Sequence, residues 1–248
     1  MNKSRRMASL QSRALAAAGF SVLQIDLYGC GDSAGDFGDA SWEDWVADVL
    51  LANTWLRQHD ARHAKAPLWL WGLRAGCLLA ADVLPRIGEP CHLCFWQPAA
   101  AGKLLLQQFL RLKLAADMLT GNNKGQMEAM RLQLTAGNAL DIAGYVLTAS
   151  LARGLEGAQL NPPVSRSVPA GRLEWFEMST RADAALSPLA SQMLDRWRQA
   201  SFDVRSHQIQ GPSFWQTSEI EDAPALLAAT TQALLATGVS TPDQGAPT

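Results

Sequence analysis

The sharpest chemical signal in the chain is Leu68-Trp69-Leu70-Trp71-Gly72-Leu73-Arg74-Ala75-Gly76, an apolar run that meets a Gly-x-x-x-Gly turn and passes into helical periodicity. Here the centre is Arg74, whose guanidinium is a permanent cation and donor and does not attack a carbonyl. A helix N-terminus carries unpaired N–H groups and partial positive charge, so it favours anions and penalises an arginine without an acceptor. Two arrangements satisfy Arg74. A carboxylate such as Asp26, Asp32 or Asp183 pairs with it, or an anionic ligand sits between its guanidinium and the Ala75 and Gly76 amides.

Other sets of reactive residue types are weaker. Gly29-x-Gly31-x-x-x-Gly35 has dinucleotide-loop spacing, but such glycines must open directly into a helix, and Asp36, Phe37, Gly38 and Asp39 intervene before the Ser41 cap. Cys91-x-x-Cys94 has the form of a redox or zinc pair, yet no second pair exists, and this spacing on a strand sends the thiols to opposite faces. Both cysteines read as buried apolar residues, and no metal or cofactor is expected. His59 and His63 flank a polar helix end and read as solvated, while Trp215 is a candidate to line a pocket.

The elements that must position these residues follow from 248 residues with 48% apolar and 18% charged side chains, enough for a well-buried core. Interspersed charges summing to -2 argue against a nucleic-acid partner. Every apolar run is interrupted too early for a membrane span. Four cysteines in a chain this long fit reduced thiols and a cytoplasmic location. Met7, Leu10, Ala14 and Ala17 recur at helical spacing, so the N-terminus reads as an amphipathic helix over 3–18 rather than a secretion signal.

Phe20 to Leu27 reads as a buried strand, and Ser41 with Asp44 as a near capping box opening a helix to about His59, with Trp42, Trp45, Val46, Val49, Leu50 and Trp55 on its apolar stripe. Strands are expected at 68–71, 91–96, 171–178 and 202–209, with helices at 75–84, 189–197 and 223–235. This strand-then-helix rhythm implies an α/β class with a mostly parallel sheet and helices on both faces. Residues 99–165 break the rhythm with helical periodicity in 104–119 and 127–134 and no convincing strand, the pattern of a helical cap inserted into a core formed by 1–98 and 166–236. The composition of 237–248 is that of a disordered tail.

The elbow-like turn, the loop Asp26-Leu27-Tyr28-Gly29-Cys30-Gly31-Asp32-Ser33-Ala34-Gly35, the insertion after CHLCFW, the segment 1–7 and the segment Gly211 to Glu221 together resemble the exosortase A system-associated hydrolase 2 family of the α/β-hydrolase superfamily. The resemblance covers about residues 1–236. It implies an α/β-hydrolase fold, in bacteria, beside exosortase and exopolysaccharide genes, and an ester, thioester or other acyl substrate. It places Arg74 where the superfamily carries its nucleophilic serine in Gly-x-Ser-x-Gly, with Gly72, Ala75, Gly76, Asp32 and Ser33 around the ligand. Asp183 falls nearest the acid position. No histidine follows the last strand, where Gly211 to Trp215 stand, and His207 comes about six residues early. Losing nucleophile and base costs a serine hydrolase on the order of a millionfold in turnover, so Ser-His-Asp catalysis is not expected. The alternative is a pseudohydrolase that binds an anionic ligand or a protein encoded nearby. The family's sheet also has a central strand before its first major helix, which implies a natural start upstream of Met1 or an incomplete fold.

Overall fold

The structure, a computed structural model, describes residues 2–59, 63–118, 126–164, 171–217 and 219–236. The expected tail lies outside the described residues. In chain order the elements are α1 (Asn2–Ala17), α2 (Trp42–His59), β1 (Leu68–Leu73), α3 (Ala75–Ile87), β2 (Cys91–Trp96), α4 (Gly102–Met118), α5 (Gln126–Thr135), β3 (Leu140–Ile142), β4 (Tyr145–Leu147), α6 (Ala149–Gly157), β5 (Arg172–Ser179), α7 (Pro188–Gln199), β6 (Asp203–Gln210) and α8 (Pro224–Leu235). A mostly parallel four-stranded sheet runs in the order β1-β2-β5-β6, and β3 pairs with β4 in a separate antiparallel hairpin. The α/β class is as expected.

The chain divides into two compact units, one of Met1–Gln24, Phe176–Ala185 and Ser206–Thr248, the other of Ile25–Trp175 and Leu186–Arg205. In the larger unit β1 and β2 pair in parallel, with Leu68 opposite Cys91 and Leu73 opposite Trp96. The sequence CHLCFW forms a strand because nearly every one of its side chains is buried, which an interior strand of a parallel sheet demands. Its Phe95 meets Trp175 and Trp197 edge-on, and these rings join Leu78, Val83, Leu84 and Leu93 in the main core. A second apolar cluster joins Leu106 and Leu110 of α4 to Leu134, Ile142 and Leu151. In the smaller unit α1 packs on α8, where Arg6 pairs with Asp222 and buried Gln11 donates to Thr231 Oγ1 at 2.9 Å.

The start of α2 is a reciprocal cap. The Ser41 N–H donates to Asp44 Oδ2 at 2.8 Å, and the Asp44 N–H returns to Ser41 Oγ at 3.2 Å. The Ser41 hydroxyl, which also donates to Asp44 Oδ2 at 2.6 Å, and then the Ser41 N–H hold the Asp44 carboxyl below its ordinary pKa. At the other end Trp55 leaves the apolar stripe expected for it: it is exposed and stacks on His59 with 4.2 Å between ring centres.

Two expectations fail. Phe20 to Leu27 forms no strand among the described residues, since apolar content does not make a strand without a neighbour to complete its ladder. The stretch read as wholly helical contains the β3–β4 hairpin. There Ala143 and Gly144 turn the chain with φ of 52° and 83°, and the Asp141 carboxylate accepts the Gly144 N–H at 3.1 Å.

Candidate functional site

Arg74 occupies the step between β1 and α3 with φ 56° and ψ -110°, a conformation that non-glycine residues rarely adopt. Main-chain bonds hold it there. Its N–H donates to the Trp96 carbonyl at 3.0 Å, and its own carbonyl accepts the Cys77 N–H at 3.1 Å. Gly72 is required by close approach: a Cβ there would lie 2.5 Å from the Gly76 carbonyl oxygen and 2.6 Å from the Cys77 nitrogen. Gly76 is different, because a Cβ on it would meet open space. Only one of the two flanking glycines is thus dictated by packing.

The Arg74 guanidinium is half-buried and donates from Nη2 to Gln108 Oε1 on α4 at 2.7 Å. Burial lowers its pKa and the nearby Cys77 thiol acts in the opposite sense; an arginine starting this high stays a cation throughout. Cys77 itself is sealed inside. Its Sγ donates to the Gly72 carbonyl at 3.2 Å, and desolvation pushes its thiol pKa far up, so it supplies no nucleophile to the turn. Cys91 and Cys94 are likewise buried free thiols, with burial raising Cys91 to about 12 and Cys94 well above the ordinary thiol value.

The glycine-rich loop is held through its main-chain N–H groups. The Asp26 carboxylate accepts the Asp32 N–H at 3.0 Å, Asp48 accepts the Tyr28 N–H at 2.7 Å, and the Ser33 N–H donates to the Cys30 carbonyl at 3.1 Å. Beside it lies a cleft of about 540 Å³ between this loop, the short 3-10 turn Phe37–Asp39 and the β3–β4 hairpin. Gly29, Gly31, Gly35, Tyr145 and Val146 are among its walls, but Arg74, Asp32 and Ser33 are not.

The remaining predicted residues lie in the smaller unit. Asp183 is exposed and paired with Arg181, which donates from Nε at 3.1 Å and from Nη2 at 2.9 Å and holds the carboxyl below its usual pKa. His207 sits within β6 and stacks on Phe176, ring centres 4.4 Å apart and planes 13° from parallel. Trp215 meets Phe214 edge-on at 5.1 Å. Sequence reasoning missed Gln108, which carries no signature of its own: it is one polar position on an amphipathic helix, and only the packing of α4 brings it to Arg74.

Among the described residues no helix is long and apolar enough to cross a membrane, and no three or more His, Cys, Asp or Glu cluster as a metal would require. No curated protein matches the chain. Residues 1–133, just over half of the 248, match the family model described as Serine aminopeptidase, S33. With that match, the strand, the strained residue and the helix at 68–87 are part of an α/β-hydrolase fold, and the chain belongs to the serine aminopeptidase S33 family.

Proposed function

We propose that this protein is an α/β-hydrolase-fold protein whose nucleophile elbow has been turned into an anion-binding site, with Arg74 at the serine position. The carrying observation is the Arg74 backbone, whose φ of 56° and ψ of -110° offer its side chain where an elbow offers its nucleophile. A guanidinium there has donors and charge to hold a carboxylate or phosphate but no lone pair with which to open an ester. The burial of Cys77 supports the same reading, since it withdraws the nearest thiol from service. The ligand is the anionic head of an acyl or glycan-related metabolite, held under the helical segment that follows β2. The resemblance in segments 26–35 and 211–221 supports a role beside exosortase and exopolysaccharide systems, with a protein of the same locus as a second partner. Free thiols support a cytoplasmic setting.

Membership of a serine aminopeptidase family favours one rival, a working hydrolase. A panel of esters, thioesters and aminoacyl substrates, together with calorimetric binding of short acyl carboxylates and acyl phosphates, separates the two. Binding without turnover by the wild type, lost in Arg74→Ala, is expected. Turnover that disappears in Arg74→Ala or Asp183→Asn establishes the hydrolase instead, and unchanged binding by Arg74→Ala refutes the anion site.

A further inference from the structure

Residues 14–56 carry seven Asp or Glu and no Lys or Arg, and residues 132–152 carry Asp141 and again no Lys or Arg. These two stretches supply every wall of the cleft between the glycine-rich loop, the 3-10 turn Phe37–Asp39 and the β3–β4 hairpin, in a chain whose net charge is only -2. A concave wall of one sign concentrates ligands of the other. We propose that this cleft binds a small organic cation, an aliphatic di- or polyamine, with its ammonium groups on the Asp36 and Asp39 carboxylates and its methylene chain against Phe37, Tyr145 and Val146. At about 540 Å³ the cleft has the size of a small-molecule site, and its walls do not include Arg74, so the proposal is independent of the role given to that residue.

The glycines of the wall are accounted for by the chain itself. A Cβ on Gly29 would lie 2.4 Å from the Asp36 carbonyl oxygen, one on Gly35 2.7 Å from the Tyr28 ring, and one on Gly38 3.1 Å from the Val146 side chain. Recognition therefore falls to the side chains that line the cleft. Asp36 and Asp39 are both exposed, and none of the lining residues is basic. Phe37 meets Tyr145 edge-on with ring centres 5.4 Å apart and also meets Trp45 at 6.0 Å. The hairpin that carries Tyr145 and Val146 is anchored in the second apolar cluster by Ile142 and Leu147, so the rings are set before a ligand arrives. Carboxylates accept, ring faces attract cations, and Val146 offers an apolar surface; the Tyr145 hydroxyl is the one side-chain N–H or O–H donor on the walls. An ammonium is made of donors only and matches that set, whereas a sugar brings acceptors that few side-chain donors would answer. Two carboxylates on one turn suit a ligand with more than one ammonium. Among the described residues no three His, Cys, Asp or Glu stand together as a metal would require.

The test titrates putrescine into the full chain by calorimetry at low salt. Separate arms use 1,4-butanediol, which has the same carbon chain without charge, and calcium chloride. Putrescine is expected to bind, more weakly as salt rises, and butanediol is not. Asp36→Asn and Asp39→Asn each remove a charge but keep an acceptor oxygen, and each is expected to weaken putrescine about five- to tenfold at an unchanged melting temperature. Asp195→Asn, the same charge loss at an exposed position on α7, is expected to change nothing. Tyr145→Leu is expected to weaken putrescine about threefold, with affinity retained in Tyr145→Phe, which keeps the ring. No putrescine binding, butanediol binding as tightly, calcium displacing putrescine, or an unchanged putrescine affinity in both Asp36→Asn and Asp39→Asn overturns the site.

Discussion

Two glycine-bearing turns in the larger unit reach a helix by opposite means. In the loop from Gly29 to Asp39 three glycines take φ of 72°, 60° and 77°, and the carboxylates of Asp26, Asp39 and Asp48 accept main-chain N–H groups at 3.0 Å or less. At the β1–α3 turn the positive φ falls on Arg74 itself, glycine serves close approach at Gly72, and main-chain bonds do the holding. The first turn is held in shape by these carboxylates, Asp39 from within it and Asp26 and Asp48 from outside it. The second is held by the main chain, and its central side chain reaches Gln108 on α4.

The largest expected effect comes from Gly72→Ala. Its Cβ would press on main-chain atoms of the following helix turn, and a loss of about 3 kcal/mol in urea unfolding is expected. Gly76→Ala, one turn on, should instead be neutral or stabilising by about 0.5–1 kcal/mol, because alanine is the better helix former and nothing obstructs it. Equal costs at the two positions would erase the distinction between them. Gly31→Ala should fall between these, at about 2 kcal/mol, since the left-handed backbone strains alanine while the obstructing Asp26 carboxylate can rotate aside. A cost matching that of Gly72→Ala would show that the Asp26 carboxylate cannot yield.

A smaller effect lies away from both turns. The Arg172 N–H donates to His92 Nδ1 at 2.9 Å, and burial, aided by the Arg172 charge, lowers the His92 pKa below 6.5. A depressed folded value means that the unfolded chain binds the proton more readily. The resulting stability is complete above about pH 6.5 and is lost as pH falls through the folded value. His92→Asn keeps an acceptor but does not titrate, so its unfolding midpoint should drop less between pH 7.5 and 5 than that of the wild type. Identical slopes would remove His92 from the acid response.

Legibility in the sequence tracked how local the cause was. Ser41 and Asp44 cap α2 through neighbours in the chain, and the continuous burial of CHLCFW suits an interior strand, so both were readable. Phe20 to Leu27 has the composition of a strand, but pairing is a property of two segments, and composition reports only one. The β3–β4 hairpin escaped because its strands have three residues each, too few to show alternation, and its turn uses Ala143-Gly144 where Asn-Gly would have announced it. For the candidate site, Arg74 and Gly72 were visible from spacing alone. Gln108 was not, because only the packing of α4 brings it to Arg74.

The pose of Arg74 is set by its peptide neighbours, Trp96 and Cys77, and owes little to the guanidinium it displays. An amino acid with a backbone N–H that tolerates positive φ would inherit the same outlook over the end of the sheet. The bend is therefore a socket that takes interchangeable heads, and a lineage, or a protein engineer, can reassign its chemistry by a single codon without rebuilding what lies beneath.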